Sequence, residues 1–139
     1  MPSFIDEAMK VKEPETAPEG EYDLRIENCE VQRTKKDDRN MFVCRVRIEA
    51  PEDYATIFEY LTIPNQEEFQ ENPRTASLLA LGLRRFFEGV FGMELNDLFP
   101  DGNTPDGEAA NGVAGRGMVT VEEYEGRTQN KIRAPRLEG

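Results

Sequence analysis

Five segments of the chain alternate apolar and polar residues, and one helical segment separates the third of them from the fourth. Alternation with period two predicts half-buried strands, whereas apolar residues at three- and four-residue spacing predict an amphipathic helix. The alternating segments are Glu21–Thr34, Asn40–Ala50, Ala55–Ile63, Gly115–Tyr124 and Gly126–Ala134. The helical segment is Asn72–Phe91, with Asn72-Pro73 as its start and Gly92 as its stop. The sequence therefore predicts three strands, a helix and two further strands.

This order is typical of a five-stranded OB-type barrel, a mostly β fold with one main helix between strands three and four. In the first segment the apolar phase slips between Ile26 and Cys29, which predicts a β-bulge. A long, bent first strand is what a small barrel needs to close on itself. The Glu125-Gly126 pair predicts a tight hairpin turn between the last two strands.

The length of 139 residues indicates one domain. We expect a flexible acidic leader over residues 1–18, the OB-type domain over residues 19–136 and a short tail over residues 137–139. No run of about 18 apolar residues is present, so no membrane span is expected. The first residues lack the basic and apolar regions of a secretory signal, which favours a cytoplasmic location.

Catalysis and metal binding are not expected, because the residue types that support them are scarce. The chain has no histidine and two cysteines, Cys29 and Cys44, which we interpret as reduced, buried thiols. Asp37-Asp38 and Glu122-Glu123 are paired carboxylates that a metal-dependent nuclease could use, but adjacent strand residues point to opposite faces. The sequence predicts a binding protein without a cofactor, a metal or an enzymatic activity.

Charge is distributed unevenly along this acidic chain, whose formal net charge is −11. Glu49–Glu71 and Glu94–Glu108 contain acidic residues and no basic ones. Basic residues instead gather in the first two strands with their connection, and in the last hairpin: Arg25, Arg33, Lys35, Lys36, Arg39, Arg45 and Arg47, then Arg116, Arg127, Lys131, Arg133 and Arg136. In an OB-type barrel these regions flank the face on which an oligonucleotide lies, so we expect them to contact phosphates. The alternative is a set of ordinary solvated side chains.

Aromatic residues in the third strand fit either of two orientations. If Ile57, Glu59 and Leu61 point into the core, Phe58 and Tyr60 lie outside and form a platform on which bases stack. The opposite orientation buries the two rings and exposes Glu59. Tyr124 in the last hairpin is a further candidate for stacking.

The two ends of the domain resemble phage-encoded single-stranded DNA-binding proteins with an OB fold. The residues that carry this resemblance are Ala17-Pro18-Glu19-Gly20-Glu21-Tyr22 and Val121-Glu122-Glu123-Tyr124-Glu125-Gly126-Arg127-Thr128-Gln129-Asn130-Lys131-Ile132. The resemblance implies a replication or recombination accessory in the host cytoplasm that binds and protects single-stranded DNA with little sequence specificity. Phage or host replication and recombination proteins are the implied partners, and an oligomer is compatible with this role.

The C-terminal end departs from the pattern of these proteins. Many of them end in an acidic tail that recruits partners, whereas this chain ends in Arg133-Ala134-Pro135-Arg136-Leu137-Glu138-Gly139. The alternative function is an acidic protein-interaction module, or DNA mimic, that binds a basic host protein.

Overall fold

The computed structural model describes residues 3–11, 13–36, 38–50 and 54–137. The strands are β1 (Gly20–Arg33), β2 (Asn40–Ile48), β3 (Ile57–Ile63), β4 (Ala114–Tyr124) and β5 (Arg127–Arg133). The helices are α1 (Phe4–Lys10), α2 (Glu68–Glu71), α3 (Pro73–Arg84) and α4 (Leu95–Leu98), with a π-helical turn at Arg85–Val90 and a 3-10 turn at Gly107–Ala110. The order of the strands and the main helix between β3 and β4 are as predicted from the sequence.

The strands form one five-stranded antiparallel sheet in the order β3-β2-β1-β4-β5. β1 is the longest strand because it pairs with β2 along most of its length and with β4 at its beginning. The register between β1 and β2 shifts between Ile26 and Asn28, which confirms the predicted bulge. The bulge bends β1 at the point where its pairing with β4 ends at Arg25.

The inner face of the sheet packs on the helical segment to form a single core. In β2, the alternating set Phe42, Cys44, Val46 and Ile48 is buried, as the period of two predicts. The helix supplies Leu83, Phe86 and Phe87, and the Phe42 ring meets the Phe87 ring edge to face with centroids 5.3 Å apart. Burial of such aromatic side chains supplies much of the driving force for folding.

The main helix begins and ends where the sequence predicts. Pro73 occupies its first turn, and the π-helical turn carries its apolar stripe on to Val90. Gly92 then adopts a φ of +66°, a left-handed conformation that ends helices and favours glycine. Between this helix and β4, Leu98 is fully buried and anchors the connection to the core.

The two thiols lie side by side in the core. Cys29 and Cys44 are both free and buried, with their Sγ atoms 3.3 Å apart across the β1–β2 pair. The hydrogen bond with Cys29 and burial raise the pKa of the Cys44 thiol above its ordinary value. A thiol that stays protonated is a poor nucleophile, and the pair serves as small apolar packing.

β3 and β5 are the two edges of the sheet, and no backbone ladder joins them in the described part of the chain. Instead, side chains connect the edges. The Ile132 backbone N–H donates to Glu59 Oε1 at 2.8 Å, and Lys131 Nζ donates to the Phe58 carbonyl at 3.4 Å. The described strands therefore form an open sheet whose edges approach each other.

Part of the predicted leader contributes to this approach. The Ala55 N–H donates to the Glu15 carbonyl, while the Ala17 N–H donates to Asn130 Oδ1 at 2.8 Å. Ala17 is fully buried in the core. The segment from Glu15 to Ala17 thus lies between the start of β3 and the middle of β5, so the packed domain begins before residue 19. Further upstream, α1 buries none of its residues.

The last hairpin closes through the predicted turn. Glu125 and Gly126 both have positive φ angles, 52° and 77°, which matches the right-handed twist of the flanking strands. Across the described ranges, every helix is too short or too polar to traverse a lipid bilayer.

Candidate nucleic-acid interface

A groove of about 580 Å³ lies between β3 and the β4–β5 hairpin. Its lining combines exposed rings, a lysine, a carboxylate and small polar groups. The residues are Thr16, Ala55, Thr56, Phe58, Tyr60, Glu122, Tyr124, Thr128, Gln129, Asn130 and Lys131. The groove follows the line where the two edges of the sheet approach without pairing, so the fold itself creates it.

The aromatic residues of β3 point outward. Phe58 is 45% exposed and Tyr60 is 58% exposed, while Ile57 and Ile63 are buried in the core. The first of the two orientations considered from the sequence is therefore correct. Phe58 and Tyr60 are two residues apart on one face, which places their rings roughly 7 Å from each other. Tyr124, 61% exposed, lies on the opposite wall of the groove.

Lys131 connects the two walls. Its Nζ lies 5.9 Å from the centroid of the Tyr60 ring and 3.4 Å from the carbonyl of Phe58. A cation over a ring face is attracted by the negative face of the π-system. The ammonium forms no ion pair with any described residue, although its charge also acts on the buried Glu59 carboxyl nearby.

Glu122 and Gln129 form the polar part of the opposite wall. They are a directly opposed cross-strand pair, and Gln129 Nε2 donates to Glu122 Oε1 at 2.8 Å. From the sequence, Glu122 is indicated only as half of a carboxylate pair, and Gln129 only as part of a polar and basic stripe on the last strand. The signal that would have found both is strand phase, because Tyr124 and Lys131 are separated by two residues from them and point the same way.

The outer face of β1, β2 and β3 continues the platform away from the groove. Arg45 is opposite Phe58 in the register of β2 and β3, and Val43 is opposite Tyr60. Opposed residues share a face, so the Arg45 guanidinium extends from the same surface as the Phe58 ring. Arg45 is exposed and forms no ion pair with residues in the described ranges.

Two other arginines on this face have carboxylate partners. Arg25 and Arg47 are opposite each other on β1 and β2. Both contact Glu49, Arg25 through Nε at 2.5 Å and Arg47 through NH2 at 3.5 Å. Arg25 also donates to the Gly112 carbonyl at 2.6 Å. A carboxylate thus already compensates the cations at the far end of the outer face.

The basic connection between β1 and β2 is divided in the same way. Arg33 pairs with Asp38, and Arg39 donates twice to Glu68, at 2.8 and 2.7 Å. The hydrogen bond from Arg39 lowers the pKa of Glu68 to about 2, a direction that a charge-assisted fork explains. Lys35 and Lys36 have no ion-pair partner among the residues that the structure describes.

The remaining predicted contacts lie on the last hairpin. Arg127 is exposed beside the turn and Arg133 is exposed at the end of β5. Neither forms an ion pair within the described part of the chain. The predicted site residues therefore separate into a set with free charge and a set engaged by Glu49, Asp38 or Glu68. Basic and acidic residues that are separated along the sequence are therefore only partly separated in the folded structure.

Glu59 lies beneath the groove, between Phe58 and Tyr60 but pointing inward. Burial raises the pKa of this carboxyl, and the neighbouring Glu122 charge acts in the same direction. The Ile132 N–H bond and the Lys131 charge oppose these effects. The Glu59 carboxylate therefore connects the two edges of the sheet, and its ionised form is partly desolvated there.

The described residues contain no cluster of three or more His, Cys, Asp or Glu that could hold a metal ion. Glu122 faces the groove, and its neighbour Glu123 alternates to the other side of β4. Asp37 lies outside the described residues, so the Asp37-Asp38 pair has no structural account.

Comparison with known proteins adds no family assignment. No protein-family model matches the chain, and no curated protein sequence matches it significantly.

Proposed function

We propose that the protein binds single-stranded DNA with little sequence specificity. The observation that carries the proposal is the groove in which Phe58, Tyr60 and Tyr124 expose their rings around the Lys131 ammonium. Exposed large apolar groups in a groove with a free cation suit a ligand that has both flat faces and negative charge. A single strand has unstacked bases and a phosphate backbone, which supply both.

The mechanism is binding by stacking and by neutralisation of phosphates. Each base that stacks on a ring contributes on the order of 1–3 kcal/mol and does so for every base type. Arg45 and Lys131 form no ion pair with a described residue, and they lie beside the rings, from the outer face into the groove. Arg133, two positions after Lys131 on β5, is a further exposed cation without an ion pair in the described ranges. The net charge of −11 limits non-specific attraction to duplex DNA, so local cations determine where a strand binds.

The fold that we propose for this activity is an OB-type barrel. The sheet order places β3 and β5 at the two edges, which is where such a barrel closes. The contact from Ile132 to Glu59 and the segment from Glu15 to Ala17 support closure by side chains and by the leader. The resemblance to phage single-stranded DNA-binding proteins supports the same fold, a role as a replication or recombination accessory, and a cytoplasmic location in the host.

Intrinsic tyrosine fluorescence provides the test, because the chain has four tyrosines and no tryptophan. Tyr60 and Tyr124 line the groove, whereas Tyr22 and Tyr54 form an edge-to-face pair with centroids 6.0 Å apart, packed against the core. Titration with oligothymidine of about 12 nucleotides should quench the emission. Raising the salt concentration from about 50 to 200 mM should weaken binding, because the release of counterions from the DNA then contributes less free energy to the complex.

The double variant Tyr60→Phe with Tyr124→Phe distinguishes groove binding from binding elsewhere. Phenylalanine retains a stacking face, so the affinity measured by anisotropy of a labelled strand should remain within about threefold. The quenching amplitude should fall to a minor fraction of the wild-type signal. Full quenching in the double variant would place the strand outside the groove. Absence of binding at micromolar protein would contradict the proposal and would favour the acidic protein-interaction alternative.

A further inference from the structure

The polar wall of the groove has an unusual feature for a surface that binds a polyanion. Glu122 places a carboxylate beside the rings, and Gln129 donates to it at 2.8 Å. A carboxylate repels phosphate, so the backbone of a bound strand does not lie against this wall. The bases must then point toward Glu122 while the phosphates follow the free cations.

The chemistry of the pair determines which hydrogen-bonding groups it presents. An ionised carboxylate only accepts hydrogen bonds, so the amide nitrogen of Gln129 must face Glu122 and the amide oxygen must face away. The second oxygen of Glu122 and the amide oxygen of Gln129 receive no hydrogen bond from any described residue. The wall therefore presents two hydrogen-bond acceptors, and a ligand with hydrogen-bond donors complements it.

We infer that this pair gives the groove a preference for bases with an exocyclic amino group over thymine, with guanine preferred most. This inference rests on the proposed function and specifies the ligand of the same groove. Guanine carries two adjacent donors, N1–H and the 2-amino group, which match acceptors set side by side. Cytosine and adenine each offer one exocyclic amino group. Thymine offers a single donor, its N3–H, and carbonyl acceptors that the wall repels lie on both sides of it. Stacking on Phe58 and Tyr60 leaves these base edges free in a single strand.

The test compares two strands of about 12 nucleotides in which every third base of a thymidine tract is replaced. One strand carries guanine at these positions, and the other carries hypoxanthine, which differs from guanine only in lacking the 2-amino group. Stacking is nearly equal for these two bases, so a difference in affinity reports the hydrogen bond. We expect the guanine strand to bind about fivefold more tightly, the low end for a well-formed contact to a base edge.

Glu122→Gln is the test variant and Glu123→Gln is its matched control. Both remove one negative charge from adjacent exposed positions of β4, but only Glu122 lines the groove. In Glu122→Gln the ratio of the two affinities should fall toward one, while binding of the hypoxanthine strand stays equal or strengthens. In Glu123→Gln the ratio should match the wild type.

Equal binding of both strands by the wild type would overturn the inference and leave single-strand binding intact. A ratio that persists in Glu122→Gln would overturn the assignment to this carboxylate. Failure to bind either strand would overturn both the inference and the proposed function. An unfolding temperature equal to that of the wild type would confirm that the fold of each variant is unchanged.

Discussion

Two regions of this protein are basic in sequence and differ in what their charges face. Around the groove and on the adjoining outer face, Lys131 and Arg45 lie beside exposed rings without a carboxylate partner in the described residues. At the β1–β2 connection and the far end of the outer face, Arg39 pairs with Glu68, and Arg25 with Glu49. The two regions differ in whether the fold brings an acid from a distant segment to the base.

The number of basic residues is therefore a poor guide to a nucleic-acid interface. An arginine held by a carboxylate must release that partner before it neutralises a phosphate, which cancels much of the gain. Glu68 belongs to α2 and reaches Arg39 from 29 positions away in the chain. Arg45 and Lys131 combine the lack of an ion pair with a position beside the rings, whereas Lys35 and Lys36, which also lack one in the described residues, lie on the β1–β2 connection.

Removal of the aromatic rings from the groove should have the largest effect on the affinity for single-stranded DNA. Phe58→Ala and Tyr60→Ala should each weaken binding of oligothymidine roughly 5- to 150-fold, because each removes a stacking face. Fluorescence anisotropy of a labelled strand measures the loss. Phe69→Ala is the matched control, since Phe69 is 47% exposed on α2 and lies outside the groove. Equal losses in all three variants would show that exposed rings in general, and not this groove, determine binding.

Substitution of one arginine from each region tests the comparison directly. Arg45→Ala should weaken binding about fivefold at 0.1 M salt and reduce the salt dependence by about 0.7 in log–log slope, as expected for one lost phosphate contact. Arg39→Ala should leave that slope unchanged and lower the unfolding temperature by a few degrees, because it removes the fork that holds Glu68.

The two readouts are anisotropy titrations at several salt concentrations and thermal unfolding followed by circular dichroism. A change of slope in Arg39→Ala equal to that in Arg45→Ala would break the distinction between paired and unpaired cations. An unchanged slope in Arg45→Ala would remove the outer face of β2 from the binding surface.

Glu59→Gln should have a smaller effect, and the effect is on the stability of the fold. It tests how much the buried Glu59 carboxylate contributes to holding the two edges of the sheet together. Burial raises the pKa of Glu59, so the folded state binds more protons than the unfolded state between the ordinary pKa of 4.5 and the raised value. Stability therefore falls as pH rises through this window. The amide oxygen of glutamine retains the ability to accept from the Ile132 N–H without the desolvated charge.

We accordingly expect Glu59→Gln to unfold a few degrees above the wild type at pH 7, with the difference disappearing as pH falls to about 4.5. Thermal unfolding across this range measures it. Glu123→Gln, which removes an exposed carboxylate, should show no such trend. A variant that is less stable than the wild type at pH 7, with the deficit disappearing as pH falls, would show that the charge of Glu59, through Lys131, contributes more than its burial costs.

The spacing of the apolar residues and the residue types in the turns made most of the fold predictable. The alternation in β2 identified Phe42 and Cys44 as core, and Glu125-Gly126 defined the hairpin, because both are local consequences of backbone geometry. The orientation of β3 was not decidable from its own residues, since Glu59 interrupts the apolar set. Only the backbone N–H of Ile132, 73 positions away, explains an inward glutamate.

Local sequence patterns were enough to predict the order of the strands, the place of the helix, the bulge in β1 and the alternation within each strand. These features arise from residues close together in the chain, where sterics and burial of one face suffice. The tertiary structure alone decided which arginines are neutralised, that Glu15–Ala17 lies between the edges, and that Glu122 and Gln129 share a groove with Phe58 and Tyr60. These depend on contacts between segments far apart in sequence, whose pairing the local pattern of residues does not encode.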